Sequence, residues 1–394
     1  MVRVLIAEDS PSTALLLQEI FRRAGLQVVG VARDGQEAVD LTAQLRPDVV
    51  TMDVHMPRLD GIEATRLIME RTPTPIVVVS NALDDPAQRI SFRSLAYGAV
   101  AVARKPPSPN HDDFAVIARQ LTETLETMAS VQVIRRRQER CRTQAPADGT
   151  TAGSSAAPAT SAAPPPTATT TAPRRPTPGR APTVLAIAAS TGGPQALARL
   201  LGGLPANFSL PIVVVQHISS GFINGLAEWL NGVCKLHCSV AQHGQRLQPG
   251  HVLFAPDGRH LEVSAAGSGA AGSGAAGSGA AGSGVAGSAL VARLAGTVPV
   301  GRHLPSATPL FESVARTCGA RAVGLVLTGM GRDGTDGLRN MYDRGALTLA
   351  QSPASCIVPN MPQAAIDAGA VREILSLAQL PDRLIATQPL PQES

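Results

Sequence analysis

Residues 143–182 of this 394-residue chain are dominated by alanine, proline, threonine and serine, as in Ala163-Pro164-Pro165-Pro166-Thr167. Such a stretch has too little apolar surface to offset the ordering of its backbone, so it reads as a disordered, semi-extended linker, assigned to residues 141–182. It cuts the chain into two parts, 1–140 and 183–394, each long enough to bury a core of its own. A second low-complexity run, the Ala-Ala-Gly-Ser-Gly repeats from Ala265 to Ala286, has a period too short for a solenoid unit and nothing to pack. It reads as a flexible insertion at 264–289 between His260-Leu261-Glu262-Val263 and Ala289-Leu290-Val291-Ala292-Arg293, which can pair as a hairpin. A long tip there costs little closure entropy.

In the first part, Val2–Ala7, Gln27–Ala32, Asp48–Asp53, Pro75–Ser80 and Ala99–Arg104 are short valine-rich segments separated by stretches of helical periodicity. Five such units predict a doubly wound parallel sheet, which binds ligands beyond the carboxyl ends of its strands. Polar residues fall at that edge: Glu8 and Asp9 after the first strand, Asp53 ending the third, Ser80 ending the fourth and Lys105 after the fifth. Three carboxylates brought together need a cation to stay ionised, and oxygen-only ligands favour Mg²⁺. Asp9 and Asp53, with Glu8 nearby, suit the metal, Asp53 suits attack on phosphorus, and Lys105 and Ser80 suit the transferred oxygens. Phe114, Ile117, Leu121, Leu125 and Met128 recur at helical spacing, predicting a last helix over 111–137 that ends in a basic turn.

The second part opens with Thr183–Ala188, a buried strand, then Ala189-Ser190-Thr191-Gly192-Gly193, then a helix with Pro194 in its first turn. Small residues let this turn bend sharply and leave N–H groups at the helix start free for an anion, so Ser190 is a candidate nucleophile. A phosphate-cradling loop or a plain turn would look the same in isolation. Pro211–His217 delivers an imidazole at a second strand end, and Ala322–Leu327 runs into Thr328-Gly329-Met330-Gly331-Arg332-Asp333-Gly334. Hydroxyl, imidazole and carboxylate at three strand ends suggest a Ser/His/Asp hydrolase, with His217 as base and either Asp333 or Asp336 orienting it. Gly329, Gly331 and Gly334 also satisfy a dinucleotide fingerprint, but the later acidic residue is missing and Asp333 would repel a pyrophosphate.

These motifs carry two resemblances. Met52-Asp53-Val54-His55-Met56-Pro57 with Asp60-Gly61 resembles the phosphoacceptor region of two-component receiver domains, which implies a flavodoxin-like first domain. Ala-Ser-Thr-Gly-Gly at Ser190, Gln216-His217, and Leu-Thr-Gly-Met-Gly-Arg-Asp-Gly ending at Gly334 resemble the signatures of chemotaxis response-regulator protein-glutamate methylesterases, which implies a Rossmann-like catalytic domain over 183–394. Phe254-Ala255-Pro256, Arg302-His303 and Ser355-Cys356-Ile357-Val358 ahead of Met361-Pro362 match as well. The second resemblance implies Ser190 as nucleophile, His217 as base, Asp333 rather than Asp336 as the orienting acid, and Thr191 and Met330 as supporting or oxyanion-binding residues. It also implies hydrolysis of glutamate methyl esters on the cytoplasmic domain of methyl-accepting chemoreceptors, with deamidation of glutamines there as a second activity. A sensor histidine kinase would be the phosphodonor, and the receiver is expected to lie over the Ser190 cleft at rest.

The chain departs from the family patterns at four places. His55 stands where Glu is frequent, Val102 where receivers carry Tyr or Phe, Arg332 where Asn is frequent, and Leu304-Pro305-Ser306-Ala307-Thr308 where Arg-Pro-Ser-Val-Asp is frequent. The last two bear on substrate contacts. A phosphorylation-controlled adaptor without turnover, or the same esterase in a pathway other than motility, is the alternative.

Composition narrows the classes further. Aromatic residues are 3% of the chain, which argues against recognition of stacked bases, and the net charge of +4 owes much to arginines in or beside the linker. Five irregularly spaced cysteines suggest no disulfide framework and a reducing compartment, and Cys234-Lys235-Leu236-His237-Cys238 lacks a second ligand pair for zinc. Acidic residues near the start and the lack of a long apolar run argue against export or membrane insertion, so a cytoplasmic monomer that binds no nucleic acid is expected.

Overall fold

The computed structural model describes residues 1–80, 92–131, 133, 182–267 and 289–388. Most of the expected linker, and residues 268–288 of the expected insertion, lie outside the described residues.

The first part forms a five-stranded parallel sheet from β1 (Arg3–Ala7), β2 (Gln27–Ala32), β3 (Val49–Asp53), β4 (Ile76–Ser80) and β5 (Ala101–Arg104), in the order β2-β1-β3-β4-β5. Its strands are apolar on both faces because both are covered. Leu5, Val50, Met52 and Val78 meet Ala38, Ala64 and Ile68 from the helices Gly35–Leu45 and Gly61–Arg71. Val4, Ile6, Val77 and Val79 meet Leu17, Phe21, Leu121 and Leu125 from Pro11–Arg23 and Phe114–Ala129. The last helix is therefore shorter than the expected 111–137. It stops at Ala129 because Ser130 turns back on Thr127 through both its N–H and its hydroxyl, and Val131 and Val133 then leave to join the apolar core.

The second part is a seven-stranded sheet, parallel throughout, built from β6 (Val184–Ala189), β7 (Ile212–Gln216), β8 (His237–Val240), β9 (His251–Phe254), β12 (Ala322–Val326), β13 (Leu347–Gln351) and β14 (Glu373–Leu375), in the order β14-β13-β12-β6-β7-β9-β8. The expected hairpin is present as β10 (His260–Ala265) and β11 (Leu290–Ala295), antiparallel and outside that sheet. It packs on the helix Ala307–Cys318, where Ser313 Oγ accepts the Val263 N–H at 2.9 Å and Thr317 Oγ1 donates to the Val263 carbonyl at 3.0 Å.

In each sheet the outgoing connections of two adjacent strands diverge to opposite sides: those of β1 and β3 in the first, and of β6 and β12 in the second. A crevice opens there beyond the strand ends. The two parts also touch. Phe92 stacks on Trp229 and meets Phe222 edge-on, with centroids 6.0 and 6.2 Å away, and Gln195 Nε2 donates to the Ala99 carbonyl at 2.5 Å.

Candidate active site and phosphoacceptor site

Ser190 follows β6 at the second switch point, on the turn into the helix Gly193–Gly202. The turn is pinned from three sides. Ser190 N–H donates to the Thr328 carbonyl at 3.1 Å, its carbonyl takes the Gly193 N–H at 2.7 Å, and Gln216 Nε2 bridges the carbonyls of Ser190 and His217 at 2.8 Å each. Two glycines make this approach possible: a Cβ at Gly193 would collide with the Gln216 amide, and one at Gly329 would lie 2.7 Å from Ser190 Cβ. The Gly329-Met330-Gly331 turn therefore runs directly against the hydroxyl-bearing residue.

His217, just beyond β7, hydrogen-bonds through Nε2 to Asp333 Oδ2 at 2.8 Å, while its buried Nδ1 has no partner among the described residues. Asp333 is held further by Ser306 Oγ at 2.6 Å, the Ala307 N–H at 2.7 Å and Thr308 Oγ1 at 3.1 Å, all at the start of the helix Ala307–Cys318. Burial alone would raise its pKa. The hydrogen bond and charge of His217, joined by Ser306 and Ala307, outweigh that and hold the carboxyl well below the usual range. Asp336 is elsewhere, exposed and 3.5 Å from Arg332. The run that departs from the family pattern thus contacts the acid.

Ser190 and His217, both among the described residues, share no hydrogen bond. Both line a cleft of about 810 Å³ together with Thr191, His303 and Met330. Its opposite wall belongs to the first part: Val100, Ala101 and Val102 beside Arg119, Glu123 and Thr127. Thr127 Oγ1 reaches Met330 Sδ at 3.4 Å. The receiver-like part lies over the Ser190 cleft, as the resemblance implies.

At the other switch point Glu8, Asp9 and Asp53 bring carboxylate oxygens within 4.8 Å of one another. Lys105 Nζ sits 2.8 Å from Glu8 and 2.9 Å from Asp53, and the Lys105 N–H donates to the carbonyl of buried Ser80. Burial pushes the Glu8 carboxyl up, against the pull of Lys105. Lys105 is held above its usual value by Asp53 and Glu8, although burial opposes its charge. Excess negative charge in oxygen donors is the chemistry a divalent cation satisfies, so this set fits Mg²⁺.

The structure brings Ser190, Thr191, His217 and Met330 to one cleft, with Asp333 hydrogen-bonded to His217, and Glu8, Asp9, Asp53, Ser80 and Lys105 to one sheet edge. Sequence reasoning missed the cradle of Ser306, Ala307 and Thr308. The serine before a helical pattern signals a cap, but spacing says nothing of what else it holds. His303 was legible only as part of an Arg-His pair, and lies flat on His217 with ring centroids 4.1 Å apart.

Residues 185–384 match the family described as CheB methylesterase, and residues 4–111 match the response regulator receiver domain. The chain is 44% identical over 390 residues to protein-glutamate methylesterase/protein-glutamine glutaminase 4 of Myxococcus xanthus, covering 97% of this chain and 96% of that protein. It is 43% identical over 385 residues to protein-glutamate methylesterase/protein-glutamine glutaminase 3 of Anaeromyxobacter dehalogenans, covering 98% of each. Among solved structures, the Thermotoga maritima CheB methylesterase catalytic domain is 28% identical, covers 52% of this chain and 99% of that one, and has a TM-score of 0.46. By sequence family, then, the chain belongs to the CheB methylesterases and carries a response regulator receiver domain ahead of its catalytic region.

Proposed function

We propose that this protein removes methyl esters from glutamate residues of chemoreceptors, and deamidates receptor glutamines, under control of receiver phosphorylation. The observation that carries this reading is one cleft in which Ser190 and His217, the latter held by Asp333, face a wall made by the receiver. We take residues 1–140 as the receiver, 141–182 as the connection and 183–394 as the catalytic half, a division supported by the two separate sheets.

In the reaction, Ser190 Oγ attacks the ester carbonyl carbon while His217 takes its proton. Nδ1 is the ring nitrogen for that task, since Nε2 is engaged by Asp333. The oxyanion is received by N–H groups of Thr191 and Met330 at the two turns flanking Ser190. Collapse returns the proton to the departing oxygen, methanol leaves, and a glutamyl ester remains on Ser190. Water, deprotonated by His217, then releases glutamate; from glutamine, ammonia leaves in place of methanol. Asp333 keeps the ring oriented and offsets the imidazolium charge. The Ser190–His217 hydrogen bond, absent from the free enzyme, forms when substrate fills the cleft.

In the receiver, Asp53 accepts a phosphoryl group from a sensor histidine kinase, and Ser80 and Lys105 contact its oxygens. Glu8, Asp9 and Asp53 would hold Mg²⁺, which when bound neutralises charge on the transferring group. Among the described residues no helix is long and apolar enough to cross a membrane. We place the reaction in the cytoplasm, on the receptor's cytoplasmic domain. A monomer suffices, since one chain supplies every residue of both sites.

The test is methanol release from methylated receptor membranes, with and without a small acyl-phosphate donor. The full chain should release methanol and Ser190→Ala should not. Absence of release from the full chain, with donor present, overturns the reading.

A further inference from the structure

The groups that anchor His217 leave its ring plane unaccounted for. Asp333 fixes Nε2 at 2.8 Å and the Ala189 carbonyl fixes the main-chain N–H at 2.9 Å, yet one hydrogen bond to a ring lets that ring pivot about it. His303 supplies the missing constraint. Its ring lies on that of His217 with centroids 4.1 Å apart and planes within 5°. Val300 and His303 exchange main-chain hydrogen bonds at 3.1 and 3.2 Å, so the ring is carried on a closed turn.

The charged groups acting on His303 are His217, Asp333 and its neighbour Arg302, while Arg119 and Glu123, which pair with each other at 2.8 Å, line the receiver wall of the same cleft. Burial first, and the charge of His217 second, hold His303 below the usual histidine value. At pH 7 the neutral form therefore dominates. A neutral ring laid on an imidazolium is attractive, whereas two stacked cations repel.

Building on the esterase reading, we propose that His303 is a positioning residue, a neutral plate that fixes the plane of His217 with Nδ1 toward Ser190 and stabilises the imidazolium formed when Ser190 gives up its proton. It acts through the His217 ring on which it lies. Its effect belongs to the transition state, because the base acts in its neutral form and becomes a cation as the Ser190 proton is transferred.

The experiment uses the full chain and methylated receptor membranes, comparing wild type with His303→Phe and His303→Leu. Phenylalanine keeps a flat neutral ring, and leucine fills the space without one. His303→Phe should hold kcat within about threefold of wild type, while His303→Leu should lower kcat roughly 10–30-fold with KM nearly unchanged. The acid limb of kcat/KM should lie at the same pH in wild type and His303→Phe, since neither carries a charge at this position. Equal kcat values for the Phe and Leu variants overturn the inference, as does a shift of the acid limb by about one unit between wild type and Phe. A wild type that releases no methanol overturns the esterase reading and this inference together; a wild type that turns over, with kcat unaffected by Leu, overturns this inference alone.

Discussion

The two sites occupy equivalent places, each beyond the strands flanking a switch point in a parallel sheet, and treat their acids in opposite ways. Asp333 accepts from four donors, His217, Ser306, the Ala307 N–H and Thr308, and its pKa is held down. Glu8 and Asp53 share the ammonium of Lys105, Asp9 is exposed, and the pKa of Glu8 is pushed up. One acid is saturated by fixed dipoles and cannot gain from rearrangement; the other set is short of positive charge and changes state when a cation or a phosphoryl group arrives. Preorganisation suits the site that stabilises a transient charge. An unmet need for positive charge suits the site that has to respond.

The contrast breaks most sharply at the nucleophile. Ser190→Ala should lower turnover by about 10⁴-fold or more with an unchanged circular dichroism spectrum, because the glycine turn accepts alanine and only the attacking oxygen is lost. Near-normal methanol release would remove Ser190 from the reaction.

Next comes the saturated acid. Asp333→Asn should cost roughly 10³–10⁴-fold in kcat with little change in KM, against less than about threefold for Asp336→Asn, whose carboxylate is exposed. The opposite ranking would transfer the role. The same carboxyl sets a pH signature. Its folded pKa lies below the ordinary 3.8, so it contributes stability that is present above that value and lost as pH falls through the folded value. Acid unfolding curves should therefore be less steep for Asp333→Asn than for wild type.

A smaller effect separates the responsive site from the rigid one. Phosphodonor with Mg²⁺ should raise methanol release by about tenfold, equivalent to losing ~1.4 kcal/mol of contact across the cleft, in wild type and not in Asp53→Asn. Activation that survives in Asp53→Asn would detach control from the acidic cluster.

Smallest is the metal itself. Mg²⁺ affinity, measured by calorimetry, should fall as pH drops through the raised pKa of Glu8, since the bound form needs the carboxylate; Glu8→Gln should weaken binding by up to about tenfold and remove that part of the pH dependence. An unchanged pH dependence in the variant would take Glu8 out of the site.

Much of this was legible in the sequence because strands buried on both faces must be apolar runs, and the residues just past such a run in a parallel sheet sit at the binding edge. Val49–Asp53 and Ile212–Gln216 deliver Asp53 and His217 on that logic alone. The end of the Phe114–Ala129 helix was not legible, since its apolar spacing continues to Val131 while a serine turn, a matter of one hydroxyl, stops it. Nor was the grip of Ser306 and Thr308 on Asp333, which depends on where the Ala307–Cys318 helix begins in space. Local propensity marks a helix cap, but only the tertiary fold decides which acid meets it.

The fifth strand of the receiver has one further consequence. β5 is the edge of its sheet, stitched along one side to β4 alone. Its far end leads into Lys105, whose ammonium grips the acidic cluster, and Val102, three residues back, forms part of the wall facing Ser190. At about 3.3 Å per residue the two are roughly 10 Å apart along the chain. Where an aromatic ring would relay the phosphorylation state by swinging, a valine has no ring to swing. A pull on the Lys105 ammonium when Asp53 is phosphorylated would reach the wall facing Ser190 through β5, the strand that carries Val102 and leads into Lys105.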